Sequence, residues 1–298
     1  MKLAEYEKRH IDFLRENAAE CTLFLKREDF EPLEATCSIA LYGNGARNTV
    51  KGGTGSGDVD SRFFVNFEKG LADAGFSVIT KEWLDSYDRI SGENYKKYVK
   101  ETKKAARSAG YMAVVYSMGC FPAEPDYDLD LSKEADMAVY VLSRNSGEGN
   151  DRRLIAGDVY LSRTEIRDIL WLNENYKRFL LVLNTGGVVD LTPVMKVRNI
   201  LYISQLGVVT GTILPDIILG RANPSGKLTT SWACPEAYPT YDNFGNLQKV
   251  EYREGIFVGY RVFDTADRKP LFPFGYGRSY SDFEIGFLSA SIDKSKVN

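Results

Sequence analysis

Hydrophobic positions along the chain follow two rhythms. Short continuous apolar runs occur at 37–42 (CSIALY), 76–80 (FSVIT), 138–142 (AVYVL), 179–183 (FLLVL) and 199–203 (NILYI). Runs of this length read as strands buried on both faces. Between them the period shifts to that of a helix. Residues 5–25 place Ile11, Leu14, Ala18 and Cys21 on one stripe, 63–74 read as helical, and 81–109 form a long charged helix with a break expected near Ser91-Gly92. Ser162 and Glu165 make a capping box ahead of Ile166, Ile169 and Leu170. Pro122 and Pro125 make 111–131 an ordered excursion or loop. Strands alternating with helices predict a doubly wound, mostly parallel sheet of five or so strands, an α/β sandwich in a single domain. Residues 1–36 are then a helix and lead-in and 37–222 the sandwich core, while 223–298 are turn-rich, aromatic and irregular.

Bulk properties narrow the function. A chain of 298 residues, 44% hydrophobic and 27% charged, buries an ample core. A net charge of −3 argues against nucleic acid as a main partner, and the lysines at 96–97 and 103–104 read as a solvated helix face. No apolar run approaches the roughly 18 residues of a membrane span. The charged N-terminus is no signal peptide, so a cytoplasmic protein is expected. Cys21, Cys37, Cys120 and Cys234 lack metal-type spacing and are expected to be reduced and mostly buried. His10 is the only histidine, which leaves no His-rich metal site and no triad that does not use it. No cofactor or metal is called for.

Candidate chemistry lies where an apolar run stops abruptly. After 138–142 comes SRNSGEGNDR, residues 143–152, at the position where open α/β sheets display reactive side chains. Glu148 stands between Gly147 and Gly149, uncrowded and on a backbone free to turn, and reads as a proton donor. Asp151 and Arg152 are expected to brace the loop through a charge-assisted bond. A second glycine-rich loop, KGGTGSGD at 51–58, does not open a helix directly after a strand and lacks the following acidic residue. It is therefore not a dinucleotide fingerprint.

Four stretches in order along the chain, the two loops above, ILGRANPSGKL at 218–228, and YREGIFVGYR at 252–261 with FPFGYGRSY at 272–280, resemble the α/β-sandwich domain of glycoside hydrolase family 3. That resemblance implies retaining β-glycosidase chemistry, most simply on β-glucosides. An aspartate on a (β/α)8 barrel attacks the anomeric carbon and the sandwich supplies a glutamate acid/base, which falls on Glu148. Retention needs two carboxyls about 5–5.5 Å apart, one ionised and one protonated at the start. Ser56 matches the position that hydrogen-bonds a sugar hydroxyl, against the simpler reading of a helix cap. Asp151 and Arg152 match a loop brace, and Asp58 and Arg62 are candidates for support. The 223–226 turn, and the aromatic block of Tyr260 and 274–280, read as architecture packed on the sheet.

Two departures stand out. Gly207-Val208-Val209 replaces a polar G-Q-E, and Arg278 replaces a leucine. A barrel needs roughly 200–250 residues of its own, so the nucleophile is expected outside this chain. The order suggests an N-terminal portion of a reversed-order enzyme, with 281–287 leading into a fibronectin-like domain, inactive on its own. The alternative is a non-catalytic carbohydrate-binding or subunit-interaction module that kept the fold.

Overall fold

The computed structural model describes residues 3–109, 121–147, 151–243, 246, 248–284, 286–287, 289, 292–293 and 296–297. Six strands, β1 (Leu23–Arg27), β2 (Ser38–Tyr42), β3 (Ser77–Val78), β4 (Met137–Arg144), β5 (Phe179–Thr185) and β6 (Asn199–Tyr202), form one sheet in the order β1-β6-β5-β4-β2-β3. All neighbours are parallel except β1, which runs antiparallel to β6. In register, Leu41 lies opposite Val139, Val139 opposite Leu180, and Leu181 opposite Ile200. Every residue of β4 and β5 is buried, as expected of central parallel strands covered on both faces. The doubly wound sandwich read from the apolar runs is the fold observed.

The lead-in departs from expectation. Helix α1 (Glu5–Asn17) buries no residue, its stripe position Leu14 is exposed, and it ends in the 3-10 turn Ala18–Cys21. The segment expected to continue it is instead β1. Three successive apolar residues, Leu23-Phe24-Leu25, carry no period that separates helix from strand. Pairing decides: Leu23 lies opposite Tyr202 in β6, and on the other edge Phe24 exchanges two 2.9 Å backbone bonds with Arg278. Helix α1 is tied down by charge, through Arg15 to Asp216 at 3.0 Å and Glu7 to Arg62.

Helix α2 (Phe67–Asp73) starts later than expected because Asn66 caps it, accepting from Lys69 N at 2.8 Å. Helix α3 (Lys81–Ala109) runs through Ser91-Gly92 without a break. One glycine costs a helix interior only about 1 kcal/mol, and Trp83 and Tyr87, stacked at 5.5 Å, anchor the first turns. Helix α4 (Arg163–Asn175) carries the expected capping box. Between α2 and helix α5 (Thr210–Ile218), backbones approach so closely that a Cβ on Gly70 would lie 1.9 Å from Gly211 O. Only glycine fits there.

The C-terminal region closes over β1 and β6. Gly226 N donates to Thr22 O at 2.7 Å, Asn223 Oδ1 accepts from Tyr280 N at 2.9 Å, and Trp232 bridges Phe272 and packs on Tyr202. The aromatic block divides. Phe272, Tyr276 and Tyr280 pack on the core, whereas Tyr260 and Phe274 stack on each other at 4.9 Å and remain exposed. Cys21 is exposed and Cys37 and Cys234 half-buried, so none of these three is the buried thiol expected, and Cys120 lies outside the described residues.

Candidate active site

A cavity of about 860 Å³ opens beyond the carboxyl ends of β2 and β4, bordered by Asn44, Lys51, Tyr87, Glu124, Arg144 and Arg152. That is the end at which open α/β sheets bind ligands. Both glycine-rich loops border it and meet there, Thr54 N donating to Ser146 O at 3.4 Å. Gly207 N supports the first loop from the other side through Lys51 O at 2.9 Å. The Gly207-Val208-Val209 turn thus contributes backbone where a polar pair was absent.

Of the residues singled out in the sequence, Glu148 lies outside the described residues. Ser56 sits in the 3-10 turn Gly55–Gly57, its side chain outside them. Asp58 is 3.7 Å from Lys51 Nζ, and Arg62 reaches away to Glu7. Asp151 is exposed on the cavity wall. Among the described residues Asp151 and Arg152 do not pair with each other. Arg152 pairs with Asp158 (Nε to Oδ1, 2.9 Å) and donates to Val188 O at 3.0 Å.

Sequence reasoning missed the residues that hold these loops. Asn184, fully buried at the end of β5, accepts from Val50 N (2.7 Å) and Ser143 Oγ (2.8 Å) and donates to Val50 O and Ser204 O. One amide thereby joins the root of each glycine loop. Asn44, just past β2, accepts from Ser143 N at 2.8 Å and donates to Ser143 O at 3.0 Å. At the end of β4, Arg144 Nη2 donates to both carboxylate oxygens of Glu165, at 2.8 and 2.7 Å, with both side chains buried. Burial opposes the charge on Arg144, but Glu165 outweighs it and holds the guanidinium above its ordinary range. Glu165 also accepts from Ser162 N at 2.7 Å, so the helix cap doubles as the counterion of the loop root. A polar residue ending an apolar run, as Asn184 and Arg144 do, was the available signal.

Glu124 faces the same cavity. Its carboxylate accepts from Tyr87 OH at 2.6 Å and Asn44 Nδ2 at 3.1 Å. Burial foremost, and then the charge of Glu165, push its pKa to about 7, against Arg144, Tyr87 and Asn44, which favour the ionised form. The native state therefore holds this proton where the unfolded chain has released it. Stability from Glu124 is complete below about pH 4.5 and falls as pH rises towards 7. With water reaching the cavity, a loss on the order of 2 kcal/mol is expected across that window. In Glu124→Gln it should disappear, as read from urea midpoints at several pH values.

No group of ligands able to hold a metal ion occurs among the described residues. Nor is any helix among them long and apolar enough to cross a membrane.

The molecule is thus an α/β sandwich with two glycine-rich loops converging at the carboxyl edge of its sheet. Residues 22–280 match the Glycosyl hydrolase family 3 C-terminal domain, and the chain belongs to that family. It is 34% identical to Beta-glucosidase A of Butyrivibrio fibrisolvens, with 92% of this chain and 35% of the relative aligned. It is 31% identical to Thermostable beta-glucosidase B of Acetivibrio thermocellus, with 99% of this chain and 36% of the relative aligned. The solved structure of beta-glucosidase 3B from Thermotoga neapolitana in complex with glucose superposes with a TM-score of 0.77 at 33% identity, covering 96% of this chain and 40% of that one. The chain thus spans about a third of the length of these curated relatives.

Proposed function

We propose that this chain is the acid/base-supplying domain of a retaining β-glucosidase acting on terminal β-linked sugars. Glu148 is the acid/base, Ser56 a contact to a sugar hydroxyl, and a (β/α)8 barrel, in the same or another chain, carries the nucleophile. The observation that carries this reading is the meeting of the two glycine-rich loops, Thr54 N to Ser146 O, at the rim of the cavity. In the first step Glu148 protonates the departing oxygen while the barrel carboxylate bonds to the anomeric carbon. In the second, ionised Glu148 takes a proton from the water that displaces the enzyme from the sugar. The acid must become the base, so its pKa should lie near the working pH.

Two further features fit. Val250, Tyr252 and Ile256 are 65%, 89% and 81% exposed, an apolar surface of the kind that a partner domain covers. Uncrosslinked Cys21, Cys37 and Cys234 suit the reducing cytoplasm. The reading is tested with p-nitrophenyl β-glucoside. This chain alone should show no turnover above background, and activity should appear on addition of a separately expressed barrel domain. Robust turnover by the chain alone would place both carboxylates within it and refute the division of labour.

A further inference from the structure

The segment 145–151 is flanked by two stems, Arg144 at the end of β4 and Arg152 beyond it, and both close on one residue. Asp158 Oδ1 accepts from Arg152 Nε at 2.9 Å. Its Oδ2 accepts from Arg153 N at 3.0 Å and Arg153 Nε at 3.2 Å. Its carbonyl oxygen accepts from Arg144 Nε at 2.9 Å and from Arg152 Nη2. Three arginines thereby bond to a single anchor whose side chain is largely buried.

The anchor is itself fixed. Gly157, immediately before it, has φ +78° and packs against the backbone of Glu124, where an added Cβ would lie 2.3 Å from Glu124 O. Glu124 N donates to Gly157 O at 2.8 Å, and Arg153 Nη2 reaches Phe121 O at 2.8 Å. Asp158 therefore joins both stems to the segment that forms the opposite cavity wall. The counterion of Arg144 is Glu165, whereas the carboxylate paired with Arg152 is Asp158. Burial lowers the pKa of Arg152 despite that partner, so the bond is between groups largely removed from water.

We propose that Asp158 is a positioning residue for proton transfer: by clamping both stems of the 145–151 loop it fixes where that loop presents its carboxyl to the glycosidic oxygen. This rests on the reading of Glu148 as acid/base and adds a residue that touches no substrate. The carboxylate accepts three bonds and holds Arg152 and Arg153 at once, while the backbone carbonyl of the same residue holds Arg144. An asparagine of the same shape offers one acceptor oxygen and no charge. Displacing a catalytic group by about 1 Å can cost on the order of 100-fold in rate.

The test has two readouts. In this chain, Asp158→Asn should speed amide hydrogen exchange at 151–153, the stem its carboxylate holds, by about tenfold or more, with β4 and β5 unchanged. Unaltered exchange in that stem overturns the clamp, whatever Glu148 does. In the polypeptide joined to its barrel, Asp158→Asn should lower kcat/KM for cellobiose at least about tenfold more than for 2,4-dinitrophenyl β-glucoside, whose leaving group needs no acid. Equal losses on both substrates mean a merely structural role and overturn the proposal. Glu148→Gln measured in parallel separates the two claims. If it shows the leaving-group dependence and Asp158→Asn does not, positioning alone fails; if neither shows it, the acid/base reading fails as well. Should Asp158→Asn not fold, Arg152→Gln breaks the same bond from the other side, with the same expectations.

Discussion

Glu148→Ala, in the polypeptide joined to its barrel, should lose about 100- to 10,000-fold of its turnover on cellobiose, the range ascribed to general acid–base groups. The loss should depend on the leaving group. A sugar alkoxide must be protonated as it departs, so the first step stalls on cellobiose. A dinitrophenolate leaves unassisted, so that step survives and the glycosyl-enzyme accumulates, because its hydrolysis needs the base form of the same residue. A burst of released phenolate followed by a slow steady state is therefore expected. Glu148→Gln should behave alike, because it keeps the shape and removes the ionisable proton. Wild-type turnover of cellobiose by either variant would contradict the assignment.

The largest effect on stability should come from Arg144→Met. The partner, Glu165, has a side chain about 1% exposed, so the substitution leaves a buried carboxylate without its counterion. Removing one member of such a pair costs about 3–5 kcal/mol. Glu165→Gln in the Arg144→Met background retains an oxygen for Ser162 N, discards the stranded charge, and should recover most of the loss. Urea unfolding of the two single variants and the double variant measures the coupling. A loss below about 1 kcal/mol in Arg144→Met would show that the pair is not the keystone of the loop root. The cost should reach the site as well, since Arg144 also donates to Asp158 O.

The sheet was legible in the sequence because central parallel strands announce themselves as unbroken apolar runs, and β4 and β5 did so up to the buried polar residues at their carboxyl ends. The edge was not. Leu23-Phe24-Leu25 satisfies a helical and an extended reading equally, and only its partners Tyr202 and Arg278, each more than 170 positions away, decide between them. Ser91-Gly92 misled in the opposite direction. Local propensity forecast a break, but aromatic anchoring of the first turns and the small cost of one glycine left α3 continuous.

The candidate site divides in the same manner. Its two loops stand out in composition, and their glycines mark them without any knowledge of the fold. Their supports do not stand out. Asn184, Asn44, Glu124 and Asp158 are ordinary polar residues whose importance lies in what the fold brings to them. Arg152 shows why adjacency in sequence is a poor guide. Asp151 was the nearest carboxylate along the chain, yet Asp158, six residues on, is the one within reach.

The central claim, that a glutamate of this chain serves a retaining mechanism completed by a barrel carboxylate, is tested most directly by trapping. Glu148→Ala, joined to its barrel, is incubated with 2,4-dinitrophenyl β-glucoside and azide, and the sugar product is examined by NMR. Azide needs no base, so it should restore turnover and yield β-glucosyl azide, the configuration left by two inversions. No acceleration by azide, or a product of α configuration, would contradict the account.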